Sequence, residues 1–376
     1  MTIAPFTINV PEEDIDDLKR RLANTRWPDE IPGAGWDYGT NLDYIKELCS
    51  YWCNDYNWRA HELMLNKFPQ FKANIDGLGI HFIHAKGKGP NPMPLVITHG
   101  WPSSFYEMHK VIGPLSDPET HGGDPEDSFD VVAPSLPGYG FSDHAMKRGM
   151  DTKSIADLWV NLMKQLGYER FGSQGGDWGA GVTSALGVNH PDRMIGVHLN
   201  MVTAQIDEPT LTPNQRAWWE SLQKYRQEEW GYVRLQGTKP QTPSYGLNDS
   251  PAGLAAWIVE KWRRWSDCDG DVERSYTKDE LLTTVAIYWF TQSISSSMRL
   301  YKETFRGSST PRKTPRIEVP TGVATFKEAN RPPRILAEHA FNLKRWTDMS
   351  HGGHFPAMEN PEGLVHEIRE FFKLLR

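Results

Sequence analysis

The chain has 376 residues, 38% of them hydrophobic, with 41 basic and 48 acidic side chains for a net charge of −7. That is enough apolar matter to bury one large core plus an insertion, which sets disorder aside, and the mixed charge offers no phosphate-binding face, which sets nucleic acid aside as a partner. No apolar run is long enough to span a bilayer, the start MTIAPFTINV lacks the layout of a secretion signal, and Cys49, Cys53 and Cys268 match neither a disulfide framework nor a zinc spacing; a soluble, cytoplasmic protein with free thiols is expected.

Residues 11 to 23 open on Pro11 and a run of acids, end in basic residues, and place Ile15, Leu18 and Leu22 on one face, which predicts an amphipathic helix. From Trp27 to about Lys88 the chain is rich in Trp, Pro, Gly and Asn, with a second helical pattern near 42 to 53 and a strand-like IHFIHA. Residues 1–88 are therefore expected to form an N-terminal segment wrapped over a larger body.

Next come PLVITHG, DVVAPSLPG, RFGSQGG and IGVHLN, short and nearly continuous apolar runs separated by helix-length segments. Such runs suit parallel strands buried on both faces, so 89–205 reads as the first part of an α/β core. From 206 to 310 the strand signals give way to Trp-rich helical patterns such as AAWIVEKW and ELLTTVAIYWFTQSI, an inserted all-helical lid. Within it Lys261-Trp262-Arg263-Arg264-Trp265 reads as a solvated helix face. GSSTPRKTPR leads back to RIEVPTGVATF, FNLKRWT and a last helix from Pro361, so 311–376 completes the core.

The strongest chemical signal is Gly175-Gly176-Asp177-Trp178-Gly179, directly after one strand and before a helical stretch. It has the small-x-nucleophile-x-small form of a nucleophile elbow, a strand-to-helix turn too sharp for branched neighbours. Here the nucleophile position holds Asp. A carboxylate gains nothing by attacking an ester or amide, but it can displace a leaving group from saturated carbon and form an alkyl ester, which narrows the chemistry to epoxides or alkyl halides.

Upstream, His99-Gly100-Trp101-Pro102 ends another strand, where the following loop supplies one N–H of an oxyanion hole and the residue after the nucleophile supplies the other; Trp101 and Trp178 are the implied backbone donors. Downstream, Gly352-Gly353-His354-Phe355-Pro356 falls where the order nucleophile, acid, histidine requires the base. His351 and His354 lie in a Gly-rich loop with no third ligand in view, so no metal is expected. Glu328, just beyond RIEVPTGVATF, is the best-placed acid; Glu338 and Asp348 stay open.

At this point the chain resembles, over nearly its whole length, the microsomal and juvenile-hormone branch of the epoxide hydrolases, including its soluble bacterial and fungal members. The segments that carry the resemblance are VPEEDIDDLKRRLANTRWP, HGWP, LPGYGFS, GGDWGA, LNDSPAGLAAWIVEKW, RLYKE, VPTGVATF and GGHFPAMENP. It implies an α/β-hydrolase fold: a mostly parallel central sheet flanked by helices, an inserted helical cap and an N-terminal wrapping segment. It also implies Asp177 as nucleophile, His354 as base, Glu328 as its partner, and Tyr301 in RLYKE and Tyr232 in GYVRLQGTKP as the lid tyrosines that hold and protonate the epoxide oxygen. A phenol, with a pKa of about 10, stays protonated at neutral pH yet can give its proton to an alkoxide. Two departures stand out: the hydrophobic anchor of membrane-bound members is not expected here, and FKE, ending at Glu328, is one residue shorter than the usual spacer.

The function this implies is hydrolysis of a hydrophobic epoxide to a vicinal diol through an Asp177 ester, with water as co-substrate and no cofactor, in detoxification or secondary metabolism. Haloalkane dehalogenase chemistry on the same Asp and a non-catalytic binder of the same fold are the rivals. Oligomeric state, a homodimer included, is left open.

Overall fold

The computed structural model describes residues 3–202, 206, 208–306, 315–328 and 331–376. Its strands are β1 (Ile3–Pro5), β2 (Gln70–Ile75), β3 (Leu78–Ala85), β4 (Met93–Thr98), β5 (Phe129–Pro134), β6 (Phe171–Gly175), β7 (Met194–Leu199), β8 (Ile317–Thr325) and β9 (Phe341–Asp348). They form a single sheet in the order β1-β2-β3-β5-β4-β6-β7-β8-β9. The pairs from β1 to β5 by way of β2 and β3 are antiparallel, and every pair from β5 onward is parallel. The apolar runs read from the sequence are these parallel strands, and Leu95, Val96, Val131, Val132 and Val197 are fully buried, as a sheet covered on both faces demands.

Chain order reverses around β4, because β5 pairs on one side of it and β6 on the other. At such a switch point the loops leaving the carboxyl ends of neighbouring strands splay apart and open a crevice. The register aligns Thr98 with Gly175, so the HGWP loop after β4 and the GGDWG turn after β6 start side by side. On the other flank Thr325 of β8 pairs with Asp348 of β9, which brings the loops holding Glu328 and His354 to the same edge.

The helix Glu12–Ala23 buries Ile15, Leu18 and Leu22, with acids in its first turn and Arg20 and Arg21 in its last. Leu42–Asn54 follows, capped by the Asn41 side chain, which accepts from the Tyr44 N–H at 3.0 Å. A third helix, Trp58–Leu65, and the strands β1 and β2 lack a strong enough period to be predicted. These N-terminal helices face the insertion: Arg21 pairs with Asp249 at 2.7 Å, and the Tyr56 and Thr283 hydroxyls meet at 3.0 Å.

Between β7 and β8 the described residues from 206 to 306 contain helices and no strand: Pro213–Glu229, Gly231–Thr238, Gln241–Leu247, Pro251–Trp265, Lys278–Phe290 and Ile294–Phe305. The apolar stretch ELLTTVAIYWFTQSI is not one helix, because the backbone turns at Thr291–Ser293 with Gln292 at φ 51°. Nor is the Lys261–Trp265 cluster a solvated face: Lys261 and Trp262 are buried, and only Arg264 is open to solvent. The insertion is latched to the core beside the β4 loop. The Tyr288 hydroxyl donates to the Ser103 carbonyl at 2.7 Å, and the Tyr139 hydroxyl to that of Ser297 at 3.2 Å. Among the described residues no helix is long and apolar enough to cross a membrane. Removing the buried latch by Tyr288→Phe should cost about 1–3 kcal/mol, because the Ser103 carbonyl loses its donor out of reach of water; urea denaturation reads this as a lower midpoint.

Candidate active site

Asp177 is the first residue of the helix Asp177–Asn189 and has φ 47°, left-handed backbone that non-glycine residues rarely adopt. The glycines around it explain how the turn closes. A Cβ on Gly179 would lie 1.9 Å from the Thr98 carbonyl oxygen, one on Gly175 2.3 Å from Gly179, and one on Gly176 2.3 Å from Asn200 Nδ2. A side chain at Gly175 or Gly179 would push the helix off the strand, and one at Gly176 would displace Asn200.

The β4 loop is equally crowded, since a Cβ on Gly100 would lie 2.3 Å from Asp177 Oδ1. The backbone N–H of Trp101 donates to that oxygen at 2.8 Å. Trp178, the other expected donor, is the second residue of its helix, where a backbone N–H has no carbonyl four residues back to bond. His99 is a structural residue. Its Nε2 accepts from the Leu136 N–H at 3.1 Å, and burial holds its pKa down to about 4, so a neutral ring braces the loop.

His354 Nε2 lies 3.4 Å from Asp177 Oδ2, and its Nδ1 lies 3.2 Å from Glu328 Oε1. The other two candidate acids are engaged elsewhere. Glu338 pairs with Arg334 at 2.8 Å, and Asp348 accepts from the Thr325 hydroxyl at 2.8 Å and from the Trp346 indole at 2.9 Å. His351 is exposed, with Nδ1 3.1 Å from the Ser350 hydroxyl, and the described residues hold no cluster of three or more metal-ligating side chains. The short spacer still reaches because the Lys327 N–H donates to the Gly352 carbonyl at 3.0 Å, tying the Glu328 loop to the histidine loop.

Burial would lower the pKa of His354, but the carboxylates of Glu328 and Asp177 outweigh it and hold the imidazole well above its ordinary range. Folding thus raises this pKa, so its stabilising contribution is complete below the unfolded value of about 6.5 and is lost as pH rises through the folded one. Asp177→Asn removes one of the two charges and should shift the imidazole titration, followed by NMR of the His354 ring, downward; an unmoved titration would contradict this account.

Two tyrosines from different helices close the other side. Tyr301 is buried on Ile294–Phe305, with its ring 4.6 Å from that of Trp178 and 5.8 Å from that of Trp101, both edge-on. Tyr232, on Gly231–Thr238, stacks on Trp101 at 5.3 Å and lies 5.9 Å from Tyr301. Burial raises both phenol pKa values well above 10, and the Asp177 charge adds to the effect, so both rings keep their protons at neutral pH.

Several residues around the site carry no chemical motif and were not predicted. Trp265 packs 4.9 Å from the His354 ring and 5.4 Å from Tyr232. Glu107, in the short 3-10 helix Phe105–Met108, is pushed up to about 7 by burial and feels the charges of His354 and Asp177. Lys261 puts its ammonium 4.9 Å from the centre of the Tyr232 ring. The partial signals were the EKWRRW run for Trp265 and Lys261 and the spacing of Glu107 from HGWP; only the fold reveals what they touch.

Comparison with known proteins points to one family. Residues 3–108 match the family model described as the epoxide hydrolase N terminus, and residues 93–247 match that of the alpha/beta hydrolase fold. Epoxide hydrolase 1 of Sus scrofa is 37% identical over 410 aligned residues, spanning 100% of this chain and 89% of that protein. The crystal structure of juvenile hormone epoxide hydrolase from Bombyx mori superposes with a TM-score of 0.90 at 33% identity, covering 100% of this chain and 95% of that one. The epoxide hydrolase of Aspergillus niger gives 0.88 at 28%, covering 100% and 97%. With its α/β-hydrolase sheet, its helical cap and its full-length likeness to these proteins, the chain belongs to the epoxide hydrolase family.

Proposed function

We propose that this protein hydrolyses a hydrophobic epoxide to a vicinal diol through a covalent ester on Asp177. The observation that carries the reading is the split engagement of one carboxylate: Oδ1 is held by the Trp101 N–H at 2.8 Å, while Oδ2 lies 3.4 Å from His354 Nε2, and its charge reaches the phenols of Tyr232 and Tyr301 on two cap helices.

In the first step Oδ2 attacks an epoxide carbon, the ring C–O bond breaks, and the departing oxygen takes a proton from Tyr301 or Tyr232. The product is a hydroxyalkyl ester whose carbonyl oxygen is Oδ1. Ester formation removes the charge of Asp177, so His354 loses one of the two carboxylates that raise its pKa, and its proton passes to the tyrosinate, leaving a neutral imidazole free to act as base. It then takes a proton from water, which attacks the ester carbonyl. The developing oxyanion faces the N–H groups of Trp101 and Trp178, and collapse releases the diol, whose oxygen takes the proton back from the imidazolium; the proton left on the Asp177 carboxyl then passes to His354 and restores the starting state, while Glu328 orients the ring. An aromatic wall of Trp101, Trp178, Tyr232, Trp265 and Phe305 favours an apolar substrate.

One feature favours a second reading. Among the described residues the indole N–H of Trp101 is buried without a hydrogen-bond partner, and together with that of Trp178, which lies against Tyr301, it suits a departing halide. Halide release from simple haloalkanes, with no diol from epoxides, would establish that alternative.

In a single turnover in heavy-oxygen water the label should enter Asp177 and be missing from the first diol; a labelled first diol would end the ester mechanism. His354→Gln should form the ester and stall, visible as a mass increase on the Asp177 peptide. Tyr301→Phe should lower kcat/KM by roughly 100-fold, the lower range for losing a general acid, and adding Tyr232→Phe should lower it further.

A further inference from the structure

The steps above leave one acid beside the histidine loop unused. Glu359 ends the short helix Pro356–Glu359, is partly buried, and accepts three backbone N–H groups: those of Asp267 at 2.8 Å and Gly353 at 2.9 Å on Oε2, and that of Phe355 at 2.9 Å on Oε1. Gly353 and Phe355 flank His354, so one carboxylate grips the loop on both sides of the imidazole. Asp267 comes from elsewhere, two residues past the cap helix Pro251–Trp265. That segment bonds back to the loop. The His354 N–H donates to the Trp265 carbonyl at 3.0 Å, and the Gly352 N–H to Asp267 Oδ2 at 3.1 Å. There is no slack between the two strands of chain, because a Cβ on Gly353 would lie 2.6 Å from the Trp265 carbonyl oxygen and 2.7 Å from the Asp267 nitrogen.

Resting on the two-step reading above, we infer that Glu359 is a positioning residue that locks the His354 loop to the Trp265–Asp267 segment of the cap and so aims the imidazole at the ester. A carboxylate suits the task because it only accepts, and charge-assisted bonds to N–H groups are stronger than neutral ones. An amide of the same shape cannot replace it, since its NH2 must face at least one of the three donors. The Trp265 ring packs on the His354 imidazole, so the anchored segment shapes the surroundings of the base. Only the second step needs the base. Loss of Glu359 should therefore act on ester hydrolysis and spare ester formation.

The test is a rapid-quench single turnover of Glu359→Gln, Glu359→Asp, His354→Gln and wild type. The substrate is whichever of a panel of styrene-type, aliphatic and polycyclic epoxides the wild type converts fastest, and mass spectrometry of the Asp177 peptide follows the ester. In Glu359→Gln ester formation should stay within about threefold of wild type while hydrolysis slows at least about tenfold, the scale of one lost charge-assisted bond, so that ester accumulates. Glu359→Asp, charged but shorter, should fall between, and it carries the test alone if the Gln variant does not fold. Partial unfolding lowers the amplitude of ester formed and leaves both rate constants untouched. Equal slowing of both steps, or of neither, overturns the positioning role. If His354→Gln forms no ester, the ester mechanism itself fails; if it traps ester while Glu359→Gln hydrolyses at the wild-type rate, only the role of Glu359 is lost.

Discussion

The constraint on which the rest depends is the near-contact of two backbone segments at a single carboxylate. Gly100 and Gly179 bring the β4 loop and the helix Asp177–Asn189 closer than any side chain would permit, and the Trp101 N–H meets Asp177 Oδ1 at 2.8 Å as a result. Left-handed backbone at a non-glycine residue costs of order 1–3 kcal/mol, and here it is sustained by the burial of β4 and β6 on both faces. A donor fixed by main chain needs no reorganisation when charge develops on that oxygen, which is why electrostatic stabilisation of this kind is effective.

The electrostatics of the site are those of one imidazole among carboxylates. Glu328 and Asp177 together overcome the burial that would keep His354 neutral, and Glu107 sits close enough to sense both His354 and Asp177 while burial holds it near neutrality. On the proposed path the charges then order the steps: as long as Asp177 is free the imidazole tends to keep its proton, and once the ester forms one of its two supports is gone. Across the site the phenols of Tyr232 and Tyr301, denied water and facing the same carboxylate, are held in the proton-donating form. One negative group thereby adds to the hold on protons on both sides, beside burial of the phenols and the charge of Glu328.

The cap is part of the site's construction as well as its cover. Its helices supply Tyr232, Trp265 and Tyr301, and they are latched to the β4 loop through Tyr288 and Ser103 and to the histidine loop through Trp265, Asp267 and Glu359. The N-terminal helices back it from the far side through Arg21 and Tyr56.

By itself the sequence determined the parallel strands, the helical insertion, the elbow at Asp177 and the order in which HGWP, Asp177 and His354 follow one another. These are local matters: continuous apolar runs, helical periods and glycine-bounded turns are written in neighbouring residues. Strands β1 and β2 and the helix Trp58–Leu65 escaped it because short or edge elements draw their stability from the sheet and cap they join. Glu328 was already the best-placed acid in the sequence, with Glu338 and Asp348 open beside it; what tertiary structure adds is its nearness to His354, through β8 lying beside β9 and the Lys327–Gly352 bond that brings a short loop within reach. The burial of Lys261 and Trp262 and the grip of Glu359 belonged to tertiary structure alone, because contacts between residues about 90 positions apart, such as Asp267 and Glu359, leave no periodic trace in the chain.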